Sequence, residues 1–230
     1  MHFLSESIYK AFLLVLNLDP EVYQIVWTSI YISFWSTTLS ASVGIPLGAL
    51  VALKNFRGKP ALLLLLNTSM ALPTVVIGLF CYAILSRMGP LGDLGLLFTP
   101  TGIALGLFVL ATPISANLTV AAIQNLDSRL ALTCKMLGAS PVQEFWLTMK
   151  EARFAVMAAI VIAFGRVVSE VGIAMMLGGN IRGFTRTMTT AIALETSKGE
   201  FELGLALGFV LMLVALVING MIFFVQRGRQ

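Results

Sequence analysis

The sequence predicts an all-α, polytopic membrane protein of about five transmembrane helices. Three observations carry that expectation. Hydrophobic residues fill 58% of 230 positions and charged ones only 11%, about half the charged share of a soluble domain. The apolar runs are long and lack the alternation of barrel strands, and in lipid each backbone N–H and C=O must be satisfied internally, which leaves helices. Crossing roughly 30 Å of hydrocarbon takes about 20 residues, and five segments qualify: Trp27 to Leu53, Ala61 to Leu85, Gly102 to Ile123, Phe154 to Leu177 and Leu203 to Val225.

The chain opens with a short apolar run, Ala11 to Leu18, closed by Asp19 and Pro20. It has neither a cationic start nor a small-residue cleavage site, so no removable signal peptide is expected. Phe3, Leu4, Ile8, Phe12 and Val15 have the spacing of a helix lying on the membrane surface.

The connectors set the expected orientation. Lys54 to Lys59 carries three basic residues and no acid, the tail adds Arg227 and Arg229, and Gln124 to Arg153 carries Arg129, Lys135, Lys150 and Arg153. Placed inside, these regions hold nine Lys/Arg against five in the N-terminus and in the connectors Ser86 to Thr101 and Gly178 to Glu202. The positive-inside rule then puts the N-terminus outside and the C-terminus in the cytoplasm. Basic residues at span ends are topology signals, so the net charge of +4 does not imply nucleic acid. Cys81 and Cys134 fall on different sides of the hydrocarbon, which predicts no disulfide, and no metal-ligand spacing occurs.

Within the spans, Pro46, Pro73 and Pro113 each remove a backbone donor and are expected to interrupt and kink their helices. Gly44 with Gly48, Gly102 with Gly106 and Gly204 with Gly208 have the spacing that permits close helix approach. No repeat or long linker divides the chain, so residues 1–230 are expected to form one domain.

Between the third and fourth spans, the segment of about 128–152 has its own grammar. A short helix is stopped by Gly138 and followed by a tight turn. A second helix then begins with Ser140 as cap, Pro141 at its first position and Glu144 in its first turn. Phe145 and Trp146 beside the turn either offer an apolar docking surface or pack back on the membrane helices.

Arg166 and Glu170 are the clearest intramembrane charges and stand four residues apart on one helix face. An unpaired charge at the bilayer centre costs about 2.5–3.5 kcal/mol on insertion scales, so the two pair, face a cavity, or both. Both a gating pair and a direct anion contact remain open. The external stretch from Gly179 to Thr190 supplies Asn180, Arg182, Arg186 and several hydroxyls, which either greet an anion or a partner protein or form a solvated loop. Thr74, after Pro73, either lines a pathway or packs in the bundle. The chain has no GxxxxGK[ST] phosphate loop, and His2 is its single histidine. It is therefore not expected to be an ATPase or an enzyme of another kind.

Leu137-Gly138-Ala139-Ser140 resembles the cytoplasmic signature of the permease subunits of ABC importers, although Leu132, Thr133 and Cys134 replace that family's Glu-Ala-Ala triplet and Lys150-Glu151 its later Leu-Pro. The likeness covers nearly the whole chain and is strongest to the molybdate/tungstate branch, particularly tungstate permeases. It runs through Ala71 to Gly78, Gly89 to Gly92, Leu97 to Pro100, Glu151-Ala152-Arg153, and Gly165 to Glu170 with Gly178 to Ile181. The last of these patterns also occurs in sulfate permeases. The resemblance implies oxyanion import by alternating access across the cytoplasmic (inner) membrane of a bacterium or archaeon. It implies a second copy of the chain, two ABC ATPase subunits that bind the ATP, and an extracytoplasmic substrate-binding protein, with no cofactor in this chain. Leu137, Gly138, Ala139, Ser140, Pro141 and Phe145 would couple to the ATPase, and Pro73, Thr74, Arg166, Glu170 and Asn180 would lie on the pathway or gate. The rivals are an ion-driven secondary transporter, which calls for more intramembrane carboxylates or inverted repeats, and a membrane enzyme or scaffold.

Overall fold

A computed structural model describes residues 8, 9, 13, 16, 17, 19–127 and 129–227. Most of the expected surface helix over Phe3–Val15, together with His2 and Arg229, lies outside these residues. All the regular elements among the described residues are helical.

The first helix, α1 (Pro20–Leu53), starts on the Asp19 carboxylate, which accepts from the N–H groups of Glu21 and Val22 at 2.9 and 3.3 Å. Its 34 residues make it about 51 Å long, more than the hydrocarbon needs. It buries a stripe of small residues, including Ser29, Ser33, Ser36, Ser40, Gly44 and Gly48. Of these, Ser40, Gly44 and Gly48 meet α4 (Pro100–Gln124), which begins on the Thr99 hydroxyl. A Cβ built on Gly48 would lie 2.3 Å from the Ala116 carbonyl, and one on Gly44 2.8 Å from the Thr112 carbonyl. Ser40 and Ser115 hydroxyls bond across the same contact at 3.0 Å. The glycine spacing thus reflects backbone-to-backbone packing here. At the third pair it does not: nothing lies within 4 Å of a Cβ on Gly208.

The expected second span, Ala61 to Leu85, is two half-helices, α2 (Lys59–Met70) and α3 (Thr74–Leu85), bent by 99° at Ala71–Pro73. Pro73 supplies no N–H and biases Leu72 away from helix, so the chain turns instead of kinking. Pro46 and Pro113 do not interrupt their spans: α1 and α4 run through them as continuous helices, their remaining hydrogen bonds held by close packing on each other. Lys59 closes the inter-span loop by donating its Nζ to the Ala52 and Lys54 carbonyls at 3.1 and 3.2 Å.

After α4 comes the short α5 (Arg129–Met136), then α6 (Pro141–Val168) and α7 (Gly172–Gly178), which bend by 60° across residues 169–171. The expected span Phe154 to Leu177 is therefore also broken. Its helix moreover begins 13 residues earlier than expected, so the second helix of the helix-turn-helix and the fourth span are one element. Between α7 and the last span, the expected connector holds a helix, α8 (Met188–Lys198), capped by Thr187. The chain ends with α9 (Phe201–Arg227). Among the described residues, three helices are long and apolar enough to cross a membrane alone, and counting each bent pair as one crossing gives up to five.

Three apolar clusters hold the bundle. One joins α1, α3, α4 and α7 around Ile103, Leu107, Ile173 and Leu177. A second joins the start of α1 to α6, α8 and α9 around Met188 and Leu207. The third lies under the turn before α6, around Ala49, Ile123, Ala152 and Val156.

Candidate functional site

The turn at Gly138 is built as a helix stop followed by a helix start. Gly138 adopts φ +70°, the left-handed region that glycine enters without penalty, and the Ala139 N–H reaches back to the Cys134 carbonyl at 2.9 Å in a Schellman closure. Ser140 then caps α6 with a reciprocal box: Gln143 N–H donates to its hydroxyl at 3.3 Å, and the Ser140 N–H donates to Gln143 Oε1 at 2.8 Å. Gln143 was legible as the box partner three residues on, and the sequence reading passed over it for Glu144.

The aromatic pair beside the turn divides its labour. Phe145 is half-buried against the Ala49–Val156 cluster, so it is not a freely displayed side chain. Trp146 is 68% exposed, with Met136, Leu137 and Val142 exposed around it. These four side chains form an apolar knob on a rigid, doubly capped turn.

The two helix breaks meet. Thr74 opens α3 just after Pro73, and Gly172 opens α7; a Cβ on Gly172 would stand 3.3 Å from Thr74 Oγ1 and 3.4 Å from Glu170 Oε1. α7 thus begins within side-chain contact distance of the start of α3. Glu170 is at the break itself, outside the helix that the spacing predicted. One of its oxygens accepts from Arg166 Nη1 at 2.7 Å, and the other accepts from the Gly172 N–H at 3.0 Å. The side chain of Glu170 is 4% exposed and that of Arg166 is 40% exposed. The carboxylate is thus neutralised and spent on the fold, while the guanidinium keeps donors facing outward.

Asn180, at φ +52°, is a staple: its amide donates to the Thr190 carbonyl at 3.3 Å and its oxygen accepts from the Thr190 hydroxyl at 2.9 Å. The hydroxyls of this external stretch are likewise turned inward. Thr185, Thr187, Thr189 and Thr190 are buried, and Thr189 donates to the Glu170 carbonyl at 2.8 Å, tying α8 to the break. Arg186 is 11% exposed and lies 3.5 Å from both Glu21 and Glu195. Arg182, also on Glu21, is the exposed arginine of this loop. Glu195, 2% exposed, is a second buried carboxylate that the sequence reading did not anticipate; Lys198 Nζ completes its pairing at 3.1 Å. Its spacing of three residues from Lys198 was a local signal of pairing, but nothing local marked its burial against Arg186.

A helical bundle with up to five candidate crossings, two breaks that meet and a capped apolar turn is the architecture of a polytopic membrane protein. Residues 44–229 match the family described as "Binding-protein-dependent transport system inner membrane component", and the chain belongs to that family. It is 37% identical over 227 residues to the "Tungstate uptake system permease protein TupB" of Peptoclostridium acidaminophilum, spanning 99% of this chain and 100% of that one. To the protein of the same name in Campylobacter jejuni subsp. jejuni it is 40% identical over 219 residues, 95% of this chain and 92% of the relative. Its fold is that of a chain in the crystal structure of a bacterial alginate ABC transporter complexed with an alginate pentasaccharide-bound periplasmic protein. That likeness has a TM-score of 0.74 at 16% identity, covering 98% of this chain and 86% of the other.

Proposed function

We propose that this chain is the permease of an ATP-driven importer for tungstate, with molybdate or sulfate as the alternative cargo. The observation that carries the reading is end-to-end identity of 37–40% with two tungstate uptake permeases. The Arg166, Glu170 and Gly178–Ile181 pattern is one that sulfate and molybdate permeases share, which is why the other two oxyanions stay in the test.

In this reading two copies pack side by side in the cytoplasmic membrane, N-termini outside and C-termini inside. Each copy seats one ATPase subunit on the knob formed by Met136, Leu137, Val142 and Trp146, and the ATP is bound and hydrolysed there, outside this chain. Gly138, Ala139, Ser140 and Pro141 set the shape of that knob, and Phe145 anchors it to the bundle. A binding protein delivers the anion at the opposite end, where Arg182 is exposed. Closure of the ATPase pair moves the knobs together, and the approach of Thr74, just after Pro73, to Gly172, just after Glu170, is where two half-helices shift against each other. Arg166 keeps Glu170 from presenting a bare negative charge to a passing dianion.

The test is ATP hydrolysis in proteoliposomes by the permease co-purified with its ATPase, with binding protein present and tungstate, molybdate and sulfate added in turn. Stimulation by tungstate at the lowest concentration supports the reading. Failure of all three anions to stimulate hydrolysis refutes it.

A further inference from the structure

Many of the exposed polar side chains of these helices are satisfied by their own helix. Thr28, Thr38 and Ser42 on α1, Ser69 on α2 and Asn219 on α9 each donate to a carbonyl three or four residues back, at 2.7–2.9 Å. Such groups face lipid at little cost. Two adjacent positions on α2 depart from this: Thr68, exposed and without such a bond, and Asn67, one of a pair of carboxamides. Asn117 of α4 donates through Nδ2 to Asn67 Oδ1 of α2, and the same amide lies 2.9 Å from Met70 Sδ. A carboxamide offers two donors and one acceptor, so the Asn67 amide N–H groups and the Asn117 oxygen go unbonded within the chain. Exchanging the roles of the two amides leaves one NH₂ group spare either way.

Asn67 is eight residues into α2 and Asn117 seven residues from the end of α4, so both sit about 10 Å inward from the adjoining helix ends. Asn67 is exposed and Asn117 half-buried. Spare amide groups at that depth require water or another polar partner, because hydrocarbon satisfies neither donor nor acceptor. Neither helix carries an acidic residue: α2 reads KPALLLLLNTSM, and α4 is uncharged throughout. The exposed face of α9 offers a contrast, with Met212, Leu213, Leu216, Val217 and Met221 all apolar.

We propose that the Asn67–Asn117 face lines the inner half of the anion route, and that its amides donate hydrogen bonds to a passing tetrahedral oxyanion. This rests on the importer reading above. Neutral donors suit a transit site: they offset part of the lost hydration of a dianion without holding it as a cluster of cations would. A second copy would present the same pair and close the open side of the route.

The test uses the whole complex of permease, ATPase and binding protein in proteoliposomes, on a background carrying Cys81→Ala and Cys134→Ala. A charged, membrane-impermeant thiol reagent is applied to the Asn67→Cys variant, with Leu216→Cys, on the apolar face, as the reference. Labelling of Asn67→Cys at least about tenfold faster than Leu216→Cys, slowed when tungstate is being transported, supports the site. Alongside it, Asn67→Leu should lower anion uptake by about tenfold, the effect of one lost hydrogen bond to an ion, and Asn67→Gln should restore part of it. Labelling no faster than the reference, or labelling indifferent to anion with normal uptake by Asn67→Leu, overturns the proposal while the importer reading stands. If the unsubstituted complex moves none of the three oxyanions, both readings fall together.

Discussion

Removing Arg166 should harm the protein more than removing the charge of Glu170, although the two make one ion pair. The asymmetry follows from exposure. Glu170 is 4% exposed, and without Arg166 its carboxylate keeps only the backbone donors of Gly172 and Ile173, at 3.0 and 3.5 Å. Breaking a buried pair from that side costs about 3–5 kcal/mol, because a charge is left buried and uncompensated. Arg166, 40% exposed, can turn outward when its partner is neutral. Glu170→Gln also keeps an oxygen for the Gly172 N–H, so its cost should be nearer 1 kcal/mol, the worth of a partly solvated pair. For a chain of 230 residues, each kcal/mol shifts Tm by about 2–4 °C. Arg166→Leu is therefore expected to lower the midpoint of thermal unfolding in detergent by about 6–20 °C, and Glu170→Gln by about 2–4 °C. The double variant should recover most of the loss, since the buried charge is then gone. Tryptophan fluorescence of the purified protein during heating measures all three. Equal losses from the two single variants, or a double variant as poor as their sum, would refute the reasoning.

Gly48→Val should fail to assemble α1 against α4. Its Cβ would meet the Ala116 carbonyl at 2.3 Å, and overpacking of this kind costs about 1–3 kcal/mol or more, read as loss of the monodisperse peak in size-exclusion chromatography. Gly138→Val places no atom near a neighbour, yet forces a branched residue to φ +70°, a backbone cost of about 1–2 kcal/mol. Membrane insertion should stay normal while anion-stimulated ATP hydrolysis falls, and unchanged uptake would sink the docking assignment. Glu195→Ala strips Arg186 and Lys198 of their shared carboxylate. Arg186 keeps Glu21 at 3.5 Å and Lys198 is 46% exposed, so neither cation is left buried and unpaired, and the loss, about 1 kcal/mol, should appear as faster proteolysis of the loop between α7 and α8.

The spans were legible because bilayer thickness and hydropathy are one-dimensional quantities; α4 and α9 end within two residues of expectation, and α1 ends at the expected Leu53 but starts seven residues early, at Pro20. The Ser140 cap and Gly138 stop were legible because capping is decided within a few residues. The second break was not, because residues 169–171 contain no proline; the chain turns there because the Glu170 carboxylate takes up the next helix's N–H groups, a contact that only folding supplies. The meeting of Thr74 with Gly172, about a hundred residues apart, had no local signature. The same holds for the loop hydroxyls: the sequence left open an anion, a partner protein or a solvated loop, whereas the fold uses them on its own carbonyls and on one another.

Helix α6 carries a mechanical consequence. It is uninterrupted for 28 residues, from Pro141 beside the Gly138 turn to Val168 beside the Arg166–Glu170 pair, a strut of about 42 Å. No hinge intervenes to absorb a push at one end. A tilt of one degree about its middle carries each tip roughly 0.4 Å in opposite directions, so a few degrees applied at the knob displace the break by more than an ångström. The chain transmits force over that distance with a single element, and the compliance lies at its far end, where the helix stops.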